Sequence, residues 1–270
     1  MSSFGEVTSW TAEGPESWVG TIPATWMQGR TSFGGIAAAV GLRVLRLAVD
    51  DPQRQPRSVH TSFFGPLGPE PARVTARVIR HGRSMSHARA EIHQGDELRT
   101  QVTASLAVDR DSGVRLPGPP RPERPGPEGL SDMPFVEGMM PSFTRYFGFR
   151  WTDGAMPYSG AREAVLGGHC RHRTDPGPDP FVAALGLVDA WPSPFVSMFE
   201  GPGPASTVSW TTNFFDVPSV IDADTWCWYS SEGIAARDGH GDMRGRLYGP
   251  QGQLVATVEQ LVALFDRPSR

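Results

Sequence analysis

Three polar side chains in the second half of the chain, Asp189, Thr207 and Gln260, are the main candidates for chemistry. Asp189 follows Phe181 and Leu185 at helical spacing, so it continues an apolar stripe near a helix C-terminus, where the helix dipole disfavours an anion. A desolvated carboxylate held by hydrogen-bond donors can orient or deprotonate a water molecule. The alternative is that Asp189 begins a turn and bonds nearby backbone amides.

Gln260 stands out because the chain carries an internal repeat whose first copy has no equivalent amide. Aligning Leu98 with Leu254 places Ala104 of the first copy on Gln260 of the second. An inward amide beside an inward carboxylate would satisfy both groups, whereas an outward Gln260 would only face solvent. Strand alternation does not choose between these orientations, because the neighbouring residue is also polar. Thr207 opens a strand, where threonine is common, so it carries little information alone.

Each half of the chain is predicted to contain one helix followed by four strands. The first helix covers residues 34–47, and the second covers 180–189 and is stopped by Pro192. One helix followed by antiparallel strands indicates a sheet curled around the helix. Alternating and β-branched residues between Gly and Pro turns predict the strands 58–64, 72–80, 84–93, 97–108, 206–215, 225–234, 242–248 and 254–265.

A proline-rich stretch divides the chain into two units of similar length. Residues 109–134 are rich in proline, glycine and charged side chains. Such a stretch cannot form a helix or an inner strand, and it should cross the surface in extended form. We therefore predict an N-terminal unit at 1–108, a linker at 109–134 and a C-terminal unit at 135–270.

Composition restricts the partners and the compartment. The 270 residues carry a net charge of −4, and all 25 basic residues are arginine. No basic cluster stands out, so we expect neither nucleic acid nor a membrane as a partner. Two cysteines cannot form a disulfide framework, and the sequence shows no leader-like start and no long apolar run. We expect a cytoplasmic protein.

Other constellations point to chemistry less clearly. His169 and His172 resemble half of a zinc cluster, but the second half is missing, so no metal is predicted. The chain contains no Gly-x-Gly-x-x-Gly dinucleotide motif and no Gly-x-Ser-x-Gly nucleophile motif. Arg83 lies in a turn between His81 and His87, where it is either a solvated turn residue or a phosphate contact.

The motifs of both halves, taken in order, resemble the acyl-CoA thioesterase II type of double-hotdog protein. The matching motifs are Phe33-Gly-Gly-Ile, Ser58-Val-His-Thr-Ser-Phe-Phe and Gly82-Arg-Ser-Met-Ser, then Val188-Asp189, Ser206-Thr207 and Val258-Glu-Gln260. The resemblance implies an α+β fold in which each half is an antiparallel sheet around one long helix and the halves form a pseudo-dimer. The chain departs from the family at Ile36, where the family often has Gln, and in a short segment before Thr207.

The resemblance also implies roles for individual residues. The family's catalytic Asp, Thr and Gln match Asp189, Thr207 and Gln260. In this scheme Asp189 accepts a proton from a water held by the other two, and a backbone N–H of the glycine pair meets the oxyanion. The residues expected to bind substrate are Gly34, Gly35, His60, Arg83 and Ser84.

These features predict an enzyme of fatty acid metabolism that hydrolyses acyl-CoA thioesters to free acid and CoA, without metal or organic cofactor. The alternative is a non-catalytic protein of the same fold that binds acyl-CoA or a fatty-acyl group. A hotdog hydratase fits less well, because such enzymes pair an acid with a histidine and none follows Asp189 within ten residues. Exposed sheet edges favour assembly, so we expect a homodimer or a higher homo-oligomer.

Overall fold

The helix of the first half forms because its apolar residues recur at helical spacing and cover most of its surface. In the computed structural model, which describes residues 2–266, this helix, α2, spans Gly34–Val49. It buries Ile36 and Val40 completely, and it ends at Asp50, which adopts the left-handed conformation (φ 48°). The helix predicted from the sequence is therefore present and slightly longer.

The helix of the second half, α3, spans Pro180–Val188 and is tied to α2 at its start. The Oδ1 of Asp179 accepts hydrogen bonds from the backbone N–H groups of Phe181 (3.0 Å) and Val182 (3.4 Å). The Oδ2 of Asp179 pairs with Nε of Arg46, near the end of α2, at 2.6 Å. The two helices thus lie side by side and antiparallel, with the start of α2 near the end of α3.

Twelve of the described strands form one continuous antiparallel sheet. In chain order the strands are β1 (Thr11–Gly14), β2 (Ser17–Gly20), β3 (Met27–Gln28), β4 (Thr31–Ser32), β5 (Gln55–Phe63), β6 (Ala72–His81), β7 (Met85–Gln94), β8 (Glu97–Ala107), β9 (Phe147–Gly154), β10 (Val165–His172), β11 (Ala205–Phe214), β12 (Cys227–Arg237), β13 (His240–Tyr248) and β14 (Leu254–Leu264). A short helix, α1 (Phe4–Val7), precedes them, and β3 pairs only with β4. The sheet order is β1-β2-β6-β7-β8-β5-β11-β14-β13-β12-β10-β9.

This arrangement confirms the double hotdog predicted from the sequence. Helix α2 packs on β6, β7 and β8, whereas α3 packs on β10, β12, β13 and β14. The halves meet where β5 pairs with β11, and the two helices contact each other above this junction. The sheet of each half therefore wraps around one helix. The central strands β5 and β11 join the two halves into one sheet.

The strand register shows how the two copies of the repeat correspond. Val59 of β5 is paired with Ala104 of β8, and Trp210 of β11 is paired with Gln260 of β14. All four side chains are buried on the inner face of the sheet. Ala104 and Gln260 therefore hold equivalent places, which is the correspondence inferred from the sequence.

The proline-rich segment after β8 runs along the outside of the second half. Residues 108–126 contain no helix or strand. The backbone at Gly118 lies so close to Leu254 that a Cβ would collide with its side chain, and the carbonyl of Pro125 accepts a hydrogen bond from the His169 ring at 2.9 Å. Within residues 2–266 no helix is long and apolar enough to cross a membrane.

Candidate active site

Asp189 lies just past the last residue of α3 and contacts parts of both halves. Its Oδ1 accepts a hydrogen bond from the side-chain Nε2 of Gln260 at 3.2 Å. Its Oδ2 faces the first residue of α2, because a Cβ on Gly34 would lie only 2.8 Å from that oxygen. The carboxylate therefore joins the end of one helix, the last strand and the start of the other helix.

Burial raises the pKa of the Asp189 carboxyl group from 3.8 to about 7. The backbone N–H of Gly35, which faces the carboxylate, and the side chain of Gln260 act in the opposite direction and lower it. Part of the residue remains accessible, but its carboxyl group is enclosed by protein atoms, so desolvation dominates. A carboxylate with a pKa near neutrality is well matched to accept and return a proton at pH 7.

Gln260 faces the inside of the sheet and is 6% exposed. Its neighbours on the same face of β14, Val258 and Val262, are also buried, so the strand presents one continuous inner row. This placement resolves the choice that alternation left open. The buried amide is stabilised by its contact with Asp189, since an unpaired amide at this depth would be costly.

Thr207 lies on the same inner face but is not hydrogen-bonded to the other two residues. It is paired with Val262, two positions beyond Gln260, and a bulge at Val208 interrupts the register between them. Within the described chain the Thr207 hydroxyl makes no hydrogen bond to Asp189 or to Gln260. The structure therefore brings two of the three predicted catalytic residues into contact and places the third nearby.

Gly34 and Gly35 form the start of α2 directly against this carboxylate. The N-cap residue is Phe33, which makes no side-chain cap, so the first N–H groups of the helix are not covered by a capping oxygen. A Cβ on Gly34 would also approach the ring of Phe63 to 3.3 Å. Glycine is required here because the carboxylate and the aromatic ring approach the backbone from outside the helix.

The structure does not bring His60 to this site. In β5 the side chains of Val59 and Thr61 are buried on the inner face, so His60 between them is exposed on the outer face. Its ring contacts the hydroxyls of Thr211 (2.9 Å) and Ser62 (3.2 Å) on that face. His60 is predicted from the sequence to bind substrate, and this alternation turns its ring away from Asp189.

Arg83 and Ser84 lie at the opposite end of α2 from Asp189. The carbonyl of Arg83 accepts a hydrogen bond (3.2 Å) from Arg54, which follows the C-terminus of α2. A helix of this length separates that end from Gly34 by about 24 Å. Neither residue can touch atoms that react at Asp189. If Arg83 or Ser84 contacts the substrate, it contacts the part of the substrate that is far from the thioester.

Two buried aromatic residues near Asp189 were not predicted. Trp210 is paired with Gln260, and Tyr229 extends its hydroxyl over Gly245, where a Cβ would collide with it. Burial raises the pKa of Tyr229, and the negative charge of Asp189 raises it further, so the phenol keeps its proton. Trp210 could have been found by comparing the two copies of the repeat, because its counterpart in the first copy is Val59. Nothing in the sequence singled out Tyr229.

The histidines that resembled half of a zinc cluster have backbone partners. The ring of His169 bonds the carbonyl of Pro125 at 2.9 Å, and that of His172 bonds the carbonyl of Ala183 at 3.0 Å. Burial lowers the pKa of His172 to about 4, so its ring is neutral at physiological pH. Among residues 2–266, no group of three or more His, Cys, Asp or Glu side chains is arranged to hold a metal ion.

Family models match both halves of the chain. Residues 22–107 match an acyl-CoA thioesterase N-terminal domain, and residues 127–264 match an acyl-CoA thioesterase C-terminal domain. The chain belongs to the acyl-CoA thioesterase family. This membership confirms the resemblance drawn from the sequence motifs and the prediction of a thioesterase. No match was found among curated protein sequences.

Solved structures share the fold of this acyl-CoA thioesterase over its whole length. A hot dog fold protein of unknown function from Alicyclobacillus acidocaldarius is 23% identical, with a TM-score of 0.85 over 98% of each chain. An acyl-CoA thioesterase II from Mycobacterium marinum is 20% identical, with a TM-score of 0.79 over 98% of this chain and 99% of the other. At these identities the similarity establishes the common fold.

Proposed function

We propose that the protein hydrolyses acyl-CoA thioesters with Asp189 as the general base. The observation that carries this proposal is the buried Asp189 carboxylate, bonded by Gln260 and set against the start of α2. A thioester carbonyl is already electrophilic, so hydrolysis requires only a positioned water and stabilisation of the oxyanion. A base with a pKa of about 7 meets the first requirement without a metal or an organic cofactor.

The reaction begins when the Asp189 carboxylate takes a proton from the water as its oxygen attacks the thioester carbonyl carbon. The resulting tetrahedral intermediate carries a negative charge on the former carbonyl oxygen. When this intermediate collapses, the C–S bond breaks and the free acid forms. The CoA sulfur then takes the proton from Asp189, which restores the carboxylate. Gln260 holds the carboxylate in place, and Thr207 supplies a second polar contact for the water.

The start of α2 is the proposed binding site for the oxyanion. The Gly35 N–H faces Asp189 and lowers its pKa, so it is committed to the base. The N–H of Gly34, at the first position of the helix, is the proposed donor to the oxyanion. The positive end of the helix dipole favours negative charge at this point.

The two halves are similar, but we assign a reactive site only to the end of the helix pair where α2 begins. The reason lies at the other end, where α3 begins. There the first N–H groups of α3 are already capped by Asp179, and that carboxylate is paired with Arg46 of α2. A helix start occupied by its own cap cannot bind an oxyanion. Among residues 2–266, the acid, the amide and an uncapped glycine pair occur together only where Asp189 meets Gly34.

The remaining contacts with CoA stay predictions. Arg83 and Ser84 are exposed or partly exposed in the turn between β6 and β7. Because this turn is about 24 Å from the start of α2, we assign Arg83 to the phosphates of CoA rather than to the thioester. A homodimer or a higher homo-oligomer also stays a prediction.

Release of CoA thiol from a panel of acyl-CoA thioesters tests the proposed function. The wild-type protein should release thiol, and Asp189→Asn should lower kcat by about a thousandfold, because the base is lost while its shape is kept. Asp132→Asn is the matched control, since Asp132 is bonded to Arg150 at 2.6 Å near an edge strand. Binding of acyl-CoA without thiol release would contradict the proposal and favour the non-catalytic binding protein.

A further inference from the structure

The two copies of the repeat differ at a second position next to Gln260, which is Trp210. Trp210 is paired with Gln260 on one side and with Thr61 on the other. The offset that relates Phe63 to Phe214 also relates Thr61 to Thr212 and Val59 to Trp210. The second half therefore has an indole next to its amide where the first half has Val59 next to Ala104.

Trp210 and Thr61 each have a buried polar atom without a hydrogen-bond partner in the described chain. These atoms are the indole Nε1 of Trp210, which is 1% exposed, and the hydroxyl Oγ1 of Thr61, which is fully buried. A buried tryptophan usually finds a partner for its N–H, and an unpaired polar group costs about 1–3 kcal/mol. The hydroxyl of Thr212, which corresponds to Thr61 in the second half, is also unpaired. Both halves therefore have an unpaired threonine at this position, whereas the indole of Trp210 has no counterpart in the first half.

The indole lies beside the proposed reaction site. The ring centroid of Trp210 is 6.4 Å from that of Phe63, and the tip of Phe63 lies against Gly34. Directly paired residues on one face of an antiparallel sheet have Cβ atoms about 4.5–5.5 Å apart, so Thr61, Trp210 and Gln260 are immediate neighbours. An acyl group whose carbonyl carbon is attacked beside Asp189 would therefore contact this row with its first few carbons.

We propose that Trp210 and Thr61 recognise an acyl group that carries a hydrogen-bond-accepting oxygen close to the thioester, as in a 3-hydroxyacyl or 3-oxoacyl group. This inference rests on the proposed hydrolysis and names its substrate class. The oxygen accepts a hydrogen bond from the indole N–H, and the Thr61 hydroxyl is the second polar partner. A plain alkyl chain leaves both buried groups unpaired, and sites that contain such groups discriminate against ligands that lack the matching atom.

The test compares butyryl-CoA with 3-hydroxybutyryl-CoA and acetoacetyl-CoA as substrates. For the wild-type protein, kcat/KM for at least one oxygenated thioester should exceed that for butyryl-CoA by about tenfold or more, as expected for one buried hydrogen bond. Trp210→Phe keeps an aromatic ring but lacks the N–H, so it should remove most of this preference by lowering kcat/KM for the oxygenated thioesters more than for butyryl-CoA. Thr61→Val should reduce the preference, whereas the matched control Thr212→Val should keep it.

Dissociation constants measured by titration calorimetry on the Asp189→Asn protein give a second readout that does not require turnover. Tighter binding of an oxygenated thioester, lost in the Trp210→Phe, Asp189→Asn double variant, supports the inference even if hydrolysis is absent. Equal binding and equal kcat/KM for all three thioesters overturns the inference while leaving the proposed hydrolysis intact. An equal loss for all three substrates in Trp210→Phe also overturns it, because the indole would then serve packing alone.

Discussion

Asp189→Asn should stabilise the protein above neutral pH although it removes nearly all turnover. Burial raises the pKa of Asp189 from 3.8 to about 7, so the folded protein holds this proton more tightly than the unfolded chain does. The stability that comes from the neutral acid is fully present below pH 3.8 and is lost as the pH rises through about 7. An asparagine has no proton to lose, so the variant should not show this loss.

The magnitude follows from the two pKa values. The difference between 3.8 and about 7 corresponds to at most about 4 kcal/mol of unfolding free energy at pH 8. The change of one oxygen to an amide disturbs the contacts with Gly35 and Gln260, which reduces the gain by about 1 kcal/mol for each hydrogen bond lost. For a chain of this size the variant should melt several degrees higher than the wild type at pH 8, about 2 °C for each kcal/mol.

Thermal unfolding of both proteins between pH 4 and pH 9 measures this effect. The difference in Tm should be close to zero or negative at pH 4, should grow up to about pH 7 and should then level off. Asp132→Asn is again the control with the opposite sign, because hydrogen bonding to Arg150 lowers the pKa of Asp132 and its removal should destabilise the protein at pH 8. A Tm difference for Asp189→Asn that does not change with pH would refute a buried carboxylate with a raised pKa.

Four further substitutions test the geometry around this carboxylate and in the neighbouring sheet. Gly34→Ala should lower kcat by about a hundredfold with the fold intact, because its Cβ would lie 2.8 Å from Oδ2 of Asp189 and displace it; unchanged kinetics would count against the contact. Thr61→Val and Thr212→Val should each raise the unfolding free energy by about 1 kcal/mol in denaturant titrations, because each removes a buried unpaired hydroxyl; destabilisation would indicate a hydrogen bond at that position. His60→Ala should keep kcat/KM within about twofold, because its ring lies on the outer face of the sheet, and a large loss would place the reaction elsewhere.

The helices and most strands could be predicted from sequence because their residue patterns are long and regular. Strands β5 to β8 and β11 to β14 have clear alternation or β-branched residues between Gly and Pro turns, and the structure places them within a few residues of the predicted bounds. The edge strand β1 was not predicted, because its four residues are largely exposed and give no apolar alternation. In β9, three consecutive buried residues, Phe147 to Phe149, conceal the alternation of a strand.

The contact between Asp189 and Gln260 could be anticipated because comparison of the two copies of the repeat removes what is common to the fold. Gln260, at the position equivalent to Ala104, needs a hydrogen-bond partner in the core. Asp189, the only acid on the apolar stripe of α3, provides one. The position of His60 could also have been read from alternation, since Val59 and Phe63 mark the inner face of β5. Its assignment followed from its motif instead, and the motif does not specify which face of a strand contacts the substrate.

The remaining features depend on contacts between distant segments. The raised pKa of Asp189 reflects how completely α2, α3 and β14 enclose the carboxyl group, which no local pattern encodes. The position of Tyr229 depends on Gly245 of the neighbouring strand, where the missing side chain makes room for the phenol. Such pairings become visible only once the sheet order is known.

The pH dependence of kcat for acyl-CoA hydrolysis tests the central claim most directly. If the ionised Asp189 carboxylate is the base, log kcat should rise with unit slope on the acid side, bend at about pH 7 and become flat above it. At pH 5 the rate should be about a hundredth of the plateau value. A rate that is constant from pH 5 to pH 9, or a bend near pH 4 where an ordinary solvated carboxylate ionises, would contradict the claim.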